Sequence, residues 1–308
     1  MPDRQRVGDW RLSPFAAELA KGQLGIAIGN LSFRIRCALP DVAASLHRLY
    51  AEHPCEVNPA FSDFHAELRE PRNLRRWLNP QVQFVVEGEM PFEPLPRDQA
   101  PAMLEWGLNW MLASSSQRWL NIHAASLERN GGVVMLPAPP GSGKSTLCAA
   151  LALRGWRLLS DELTRLDPDT LLAHALARPI NLKNASIDVI RRFQPDLTWA
   201  PDVYDTSRGR VTHLKPPVDS VRRMLEPATP RWIVFPRYVP DAEPLLTPRS
   251  KVATFNHFAQ NAFNYSILGE LGFRTVARLV DQCDCYDFSY SRLEDALEVF
   301  DWLLNPDD

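Results

Sequence analysis

One segment of the chain has the residue types and spacing of a phosphate-binding loop. Ala138–Ser145 reads Ala-Pro-Pro-Gly-Ser-Gly-Lys-Ser, with Ala138 where such a P-loop (Walker A) usually begins with glycine. A triphosphate is concentrated negative charge, so a protein binds it with inward-pointing N–H groups, a helix N-terminus and a cation. The predicted nucleotide-binding residues of this segment are Pro140, Gly141, Ser142, Gly143, Lys144, Ser145 and Thr146.

Each residue type in the loop has an expected task. Gly141 and Gly143 allow the backbone to bend tightly and to approach phosphate oxygens. Lys144 reaches the β- and γ-phosphates, and the Ser145 hydroxyl binds Mg²⁺. The alternative interpretation is a proline–glycine turn that merely precedes a helix.

The neighbouring sequence favours the nucleotide-binding interpretation. Val133–Leu136 is a short apolar run typical of a buried strand, and a helix is predicted from Lys144 to Arg154, ended by Gly155. Trp156–Ser160 predicts a further strand. Strand, helix and strand in succession indicate an α/β layer with at least some parallel pairing.

Two carboxylates follow that strand directly. Asp161 and Glu162 stand at its carboxyl end, where ligands bind in open α/β sheets. One carboxylate could hold Mg²⁺ while the other accepts the proton of an attacking hydroxyl. The alternative is a solvated strand end or a helix cap.

The chain resembles the HPr kinase/phosphorylase family, which shares its core with phosphoenolpyruvate carboxykinases. Three stretches carry the resemblance: Leu120-Asn121-Ile122-His123-Ala124, Gly141-Ser142-Gly143-Lys144-Ser145, and Arg154-Gly155-Trp156-Arg157-Leu158-Leu159-Ser160-Asp161-Glu162. The resemblance implies an α/β P-loop kinase core with ATP and Mg²⁺ as cofactors.

The resemblance also implies roles for single residues. Asp161 would be the acid/base residue, Glu162 a metal neighbour, and His123 would lie near the phosphates. Glu162 stands where the family has aspartate. The predicted metal ligands are Ser145, Asp161 and Glu162. For His123 the alternative is a core histidine with its hydrogen bonds satisfied.

More narrowly, the chain is similar to the HPr kinase-related kinase A group of bacterial proteins. The segments that fit this group are Trp106–Trp110, Arg178–Ser186, Phe235–Tyr238, Ala262–Tyr265 and Leu271–Phe273. Related kinases phosphorylate serine on a peptide, and the HPr enzymes modify serine on a carrier protein and can reverse the reaction. The first ninety residues do not resemble the N-terminal domain of those enzymes.

Further cations could contact phosphate. Lys183 follows an apolar run and could bind a phosphate or an acidic substrate. Arg208 and Arg210 flank Gly209 in a basic segment that continues to His213 and Lys215. A loop there could close over the γ-phosphate and supply an arginine that stabilises the transferring charge. The alternatives are a solvated lysine and a solvated hairpin.

Composition excludes several classes of protein. The 308 residues are 45% hydrophobic and 23% charged, with a net charge of −3 and a pI of about 6.2. Without a basic field, nucleic acid is not an expected partner. We see no secretory signal and no membrane-spanning run, so we expect a cytoplasmic protein. Five irregularly spaced cysteines indicate reduced thiols, and Cys283-Asp-Cys285 is more typical of a strand than of a metal site.

The remaining chain divides into two predicted units. Residues 1–95 read as a small α+β domain and residues 96–308 as the P-loop domain, with the proline-rich segment Met90–Pro101 as the boundary. Predicted strands are two around Gly29-Asn30 within Leu24–Leu39, then Phe61–His65, Gln83–Val86, Leu120–Leu127 and Cys285–Tyr290. Predicted helices are Pro40–His53, Ala102–Ser116, Thr254–Leu268, Phe273–Val280 and Leu293–Leu304.

Together these features predict an ATP-dependent, Mg²⁺-dependent kinase that phosphorylates a hydroxyl, with serine on a peptide or small protein as the expected acceptor. Two alternatives stay open: a small-molecule kinase acting on a sugar or metabolite, and a nucleotide-gated module that binds a peptide or partner with little turnover. The acceptor, the reverse reaction and a homo-oligomeric state are not fixed by the sequence.

Overall fold

The residues that the structure describes form an α/β protein with two larger mixed sheets and two small ones. The computed structural model describes residues 5–71, 78–115, 118–139 and 141–304. Among these residues, no helix has the length and apolar composition needed to cross a membrane.

The first sheet is built from the N-terminal third of the chain. Its strand order is β3-β1-β2-β4-β5-β6, and only β2 and β4 pair in parallel. The predicted hairpin around Gly29-Asn30 is confirmed, because β1 and β2 are antiparallel on either side of it. The strands are β1 Leu24–Ile28, β2 Leu31–Cys37, β3 Cys55–Val57, β4 Phe64–Arg69, β5 Gln81–Val86 and β6 Leu95–Pro96.

The second sheet positions the glycine-rich segment. Its order is β10-β8-β9-β16-β18-β17, and its central strands β9, β16 and β18 are parallel. The predicted parallel pairing is therefore confirmed, whereas β10 pairs antiparallel with β8. The strands are β8 Ala125–Arg129, β9 Gly132–Leu136, β10 Arg157–Ser160, β16 Thr229–Tyr238, β17 Leu245–Pro248 and β18 Asp284–Tyr290.

The described residues also form two three-stranded sheets, with orders β12-β11-β7 and β13-β15-β14. Their strands are β7 Leu120–Ile122, β11 Thr164–Leu166, β12 Ala173–His174, β13 Ile180–Lys183, β14 Val203–Thr206 and β15 Gly209–Leu214. The single strand predicted for Leu120–Leu127 is wrong. The chain leaves β7 at His123 and enters β8 at Ala125, so the segment serves two different sheets.

Most of the predicted helices are present with shifted ends. Leu293–Leu304 is confirmed as predicted, while the helix from Pro40 ends at Leu49. Thr254–Leu268 is two helices, since Ala262 adopts extended backbone between them. The helices are α1 Leu12–Lys21, α2 Pro40–Leu49, α3 Ala100–Ser115, α4 Lys144–Leu153, α5 Ala185–Phe193, α6 Val218–Arg222, α7 Lys251–Asn261, α8 Tyr265–Leu268, α9 Glu270–Gln282 and α10 Leu293–Leu304.

Strand β9 is buried on both faces, which explains why it reads as a continuous apolar run. Successive side chains of a strand point to opposite faces. Val134 and Leu136 pack in the core that contains α4 and α10. Val133 and Met135 pack in the core that contains α9. The strand that precedes the glycine-rich segment is therefore fixed from both sides.

Helix α3 follows the predicted domain boundary and packs against the first sheet. The boundary segment itself contains β6 and a 3-10 turn at Arg97–Gln99. On α3, a Cβ at Gly107 would lie 2.3 Å from the Phe84 ring of β5, so only glycine allows this approach. The division at residue 95 stays a prediction.

A buried ion pair joins α3 to the segment before β13. The Arg178 guanidinium donates to the Glu105 carboxylate at 3.0 Å and to the Glu105 carbonyl oxygen at 2.8 Å. Tyr50, which directly follows α2, donates its hydroxyl to the same carboxylate at 2.9 Å. Burial and the Glu105 charge raise the pKa of Tyr50, which keeps this hydroxyl a donor.

We predict that Glu105→Gln lowers the free energy of unfolding by about 3–5 kcal/mol, because it leaves the buried Arg178 without a counter-charge. Urea denaturation measures the loss. The matched control is Asp301→Asn, which breaks the exposed pair with Arg129 at 2.8 Å and should cost less than about 1 kcal/mol. Equal losses for the two variants would contradict this account.

Candidate functional site

The glycine-rich turn is fixed by the carboxyl ends of two strands. The Tyr238 N–H, at the end of β16, donates to the Ser142 carbonyl oxygen at 2.8 Å. The Tyr290 hydroxyl, at the end of β18, donates to the Gly143 carbonyl oxygen at 3.1 Å. Gly143 has φ 88°, and a Cβ there would lie 2.6 Å from the Tyr290 hydroxyl oxygen. Glycine is therefore required at 143 by conformation and by space.

Helix α4 begins at Lys144 with its N-terminus toward this turn. The Leu147 N–H donates to the Gly143 carbonyl oxygen at 3.0 Å, which is the first i to i−4 bond of the helix. The N–H groups of Lys144, Ser145 and Thr146 therefore precede the intrahelical bonds. The first turn of α4 contains no acidic residue. The Lys144 N–H donates to Ser142 Oγ at 3.4 Å, whereas the N–H groups of Ser145 and Thr146 have no intrahelical partner. Together with the positive end of the helix dipole, these two N–H groups favour an anion at this position.

A cavity of about 1030 Å³ opens beside the turn and gathers most of the predicted site residues. Its volume is at the upper end of the range for small-molecule sites. Pro140 lies outside the described residues, and Arg210 does not line the cavity. The predicted residues that do line it are His123, Gly141, Ser142, Gly143, Lys144, Ser145, Thr146, Asp161, Glu162, Lys183 and Arg208.

The acidic pair is oriented by hydrogen bonds to the backbone. The Asn181 N–H, in β13, donates to Asp161 Oδ2 at 2.8 Å. Ser160, the last residue of β10, accepts from the N–H groups of Glu162 at 3.3 Å and Leu163 at 3.0 Å. The serine thereby turns the chain at the strand end, and Asp161 is only 9% exposed.

The two carboxylates have oppositely shifted pKa values. Burial, and then the charge of Glu162, raise the pKa of Asp161 to about 6, against the lowering effect of the Asn181 N–H. Burial also acts to raise the pKa of Glu162, but the charges of Lys183 and Lys144 outweigh it and the pKa is lowered. Asp161 is thus suited to exchange a proton near neutral pH, and Glu162 to stay ionised.

The two lysines of the cavity are desolvated and lack close counter-charges. Burial lowers the pKa of Lys144 and of Lys183, while the charge of Glu162 acts to raise both. Neither lysine has a carboxylate within 4.0 Å among the described residues. By contrast, the buried Arg157 is paired with Glu128 at 2.6 Å. Desolvated cations without a close partner are costly to keep, which is typical of a site that binds an anion.

His123 lies at the end of β7 and reaches the cavity. Its backbone N–H donates to the Asn261 carbonyl oxygen at 3.2 Å, and its ring centroid is 5.8 Å from that of Phe263. Burial, and then the charge of Lys144, lower the pKa of His123 to about 4. The imidazole is therefore neutral near pH 7 and can contribute a hydrogen bond to a ligand but no charge.

The two predicted arginines have different surroundings. Arg208 lines the cavity, with its guanidinium carbon 5.9 Å from the centre of the Trp106 ring. Arg210 instead forms ion pairs with Asp202 at 2.8 Å and Asp188 at 3.0 Å. The structure therefore does not place Arg210 with the other predicted catalytic residues, since its charge is already neutralised by two carboxylates.

Three lining residues were not predicted as site residues, although Asn181 and Tyr238 lie in segments that resemble the kinase A group. Asn181 is 7% exposed, and its Oδ1 has no hydrogen-bond partner although it lines the cavity. A buried amide oxygen without a partner is costly, so a ligand donor is expected there. Tyr238 and Tyr290 hold the turn. Two strand-terminal tyrosines far apart in the chain could be linked to the turn only once the parallel register of β16 and β18 was known.

The donor set suits Mg²⁺. Among the described residues, no cluster of three or more His, Cys, Asp or Glu side chains could by itself hold a metal ion. Mg²⁺ is usually bound by one or two carboxylates together with substrate phosphates and waters. The Ser145 hydroxyl and the carboxylates of Asp161 and Glu162 share the cavity, so they fit a magnesium ion that enters with a polyphosphate. The five cysteines are free and buried.

We predict that Asp161→Asn stabilises the protein at pH 7.5 by about 2–3 kcal/mol. The pKa of Asp161 is raised to about 6 in the folded chain, so ionisation opposes folding. This cost is full above pH 6 and disappears below about pH 4, the usual pKa of aspartate. The stability gain should therefore shrink as the pH falls from 6 to 4 in denaturant titrations. A gain that is independent of pH, or equal to that of the exposed control Glu298→Gln, would contradict the assignment.

Comparisons with known proteins add no family assignment. A scan against protein-family models found no match, and a search of curated proteins found none.

Proposed function

We propose that this chain is a Mg²⁺-dependent kinase with a P-loop core of the HPr kinase type, which transfers the γ-phosphoryl group of ATP to a hydroxyl. The proposed acceptor is serine on a peptide or small protein. The observation that carries the proposal is the position of Asp161. A carboxyl group with a pKa of about 6 lines the same cavity as the glycine-rich turn and Lys144.

The turn and the start of α4 would bind the phosphates. The N–H groups of Lys144, Ser145 and Thr146 precede the first intrahelical bond, and Lys144 adds a positive charge at the same end. The Ser145 hydroxyl and the ionised Glu162 would hold Mg²⁺, which when bound neutralises charge on the phosphates. Lys183 would balance the remaining charge, since it interacts with Glu162 across the cavity.

Asp161 would act as the base. The acceptor oxygen attacks the γ-phosphorus, and the bond between the γ-phosphorus and the β–γ bridging oxygen breaks, so that ADP leaves. The proton of the acceptor hydroxyl passes to Asp161. The Asn181 N–H fixes the carboxylate by binding Oδ2 at 2.8 Å. A base with a pKa close to the working pH is efficient because it is largely ionised yet still basic. Arg208, at the rim, would stabilise charge on the transferring group.

We predict that Asp161→Asn lowers the rate of phosphoryl transfer by about 10²–10⁴-fold and leaves ATP binding intact, since the amide keeps the shape of the carboxylate and can still accept from Asn181. Transfer from labelled ATP measures the rate, and calorimetry measures ATP binding. The control is Asp169→Asn, an exposed carboxylate outside the cavity. Undiminished transfer by Asp161→Asn would remove this residue from the chemistry.

The acceptor is identified by incubating the purified chain with γ-labelled ATP and an extract of its own host, with Asp161→Asn as the control. We expect label on serine of a peptide or protein, detected by mass. Label on a sugar or metabolite would identify a small-molecule kinase. Tight ATP binding with no labelled product would instead favour a nucleotide-gated binding module.

A further inference from the structure

Asn184 is bonded to the turn that carries Arg208. The Asn184 backbone N–H donates to the Arg210 carbonyl oxygen at 2.8 Å. Its side-chain Nδ2 donates to the Arg208 carbonyl oxygen at 3.2 Å, and its Oδ1 accepts from the Arg210 N–H at 3.1 Å. One residue therefore binds the backbone on both sides of Gly209. We call these three bonds the Asn184 latch.

The turn is also stabilised by hydrogen bonds of its own. Thr206, the last residue of β14, donates its hydroxyl to the Gly209 carbonyl oxygen at 2.6 Å and accepts from the Arg208 N–H at 3.1 Å. Gly209 has φ 80°, and a Cβ there would lie 2.3 Å from Asn184 Oδ1. The latch thus requires glycine at 209, because any side chain would displace the Asn184 amide.

The backbone of Asn184 is itself strained. Its φ of 50° and ψ of −127° are close to the first central position of a type II′ turn, where glycine is the usual residue. Asparagine at this position costs free energy that glycine would not. The two hydrogen bonds from the Asn184 side chain to the backbone of residues 208–210 offset that cost. A glycine at this position could not form them.

The neighbouring arginines complete the arrangement. Arg210, at the start of β15, is anchored by Asp188 of α5 and by Asp202. Arg208 lines the cavity and lies against the Trp106 ring of α3. The turn therefore has one arginine that fixes it to the protein and one that faces the ligand space. Asn184, like Arg208, lines the cavity.

We propose that Asn184 is a positioning residue, which holds the Arg208 guanidinium over the phosphate end of the cavity. The inference rests on the proposed function, in that the ligand is taken to be a polyphosphate. A guanidinium held in place before the ligand arrives loses less conformational entropy on binding than one on a free loop. Asn184 acts through Arg208 and does not itself contact the phosphate.

The test uses Asn184→Gly in the full chain, because glycine relieves the strained backbone and removes only the side-chain bonds of the latch. The probe is inorganic tripolyphosphate, titrated by calorimetry, so that no phosphoryl transfer is needed. We expect the dissociation constant to rise about tenfold, as for the loss of one charge-assisted hydrogen bond. Arg208→Gln should raise it by a similar factor.

The double variant decides between positioning and a separate role. If Asn184 acts through Arg208, Asn184→Gly adds no further loss in the Arg208→Gln background. The proposal would be overturned if the double variant lost affinity by the product of the two single losses, or if Asn184→Gly alone lost no affinity. The matched control is Asn130→Gly, an exposed asparagine with φ 53° at the opposite end of β9, which should leave binding unchanged.

A second measurement separates this inference from the proposed function. Amide hydrogen exchange at Arg210 reports the bond to Asn184 Oδ1 without any ligand, and Asn184→Gly should accelerate it at least about tenfold relative to Asn130→Gly. If the wild-type chain binds no tripolyphosphate, the proposed function fails and exchange alone decides on the latch. Unchanged exchange at Arg210 would overturn it.

Discussion

Two hydrogen bonds tie the glycine-rich turn to the carboxyl ends of strands β16 and β18 in the second sheet. One runs from the Tyr238 N–H to the Ser142 carbonyl oxygen and the other from the Tyr290 hydroxyl to the Gly143 carbonyl oxygen. Two carbonyl oxygens of the turn are thereby bound, while the N–H groups of Ser145 and Thr146 at the start of α4 have no intrahelical partner. A segment whose carbonyls are bound behind it presents positive dipoles in front. The parallel strands β9, β16 and β18 make this possible because they end at one edge.

The electrostatics of the cavity follow from this placement. Lys144, Lys183, Asp161 and Glu162 are brought together with restricted access to water, and among the described residues none of the four forms an ion pair within 4.0 Å. By contrast, two other buried pairs of charges are in close contact, Glu105 with Arg178 at 3.0 Å and Glu128 with Arg157 at 2.6 Å. The cavity thus keeps an unfavourable arrangement that a ligand with both charge and hydrogen-bonding groups would relieve. Stability given up at one site in this way is typical of a site shaped for function.

Sequence patterns predicted the local features of the site and missed what joins distant segments. The turn, α4 and β10 were predicted because glycine, the apolar run and Gly155 act over a few residues. The break at His123 was missed, since the flanking residues are apolar on both sides and only their membership of two different sheets separates them. Arg210 was grouped with Arg208 because the two lie close in sequence. Only the positions of Asp188 and Asp202 distinguish their roles.

The most direct test of the central claim is a calorimetric titration of magnesium and a non-hydrolysable ATP analogue into three chains: wild type, Gly143→Ala and Gly155→Ala. Both glycines have strongly positive φ, 88° at Gly143 and 92° at Gly155. A Cβ at Gly143 would clash with the Tyr290 hydroxyl, which is bonded to the turn, whereas a Cβ at Gly155 would have no atom within 4 Å. We expect binding by wild type and Gly155→Ala and its loss in Gly143→Ala. Equal binding by all three chains, or none by the wild type, would contradict it.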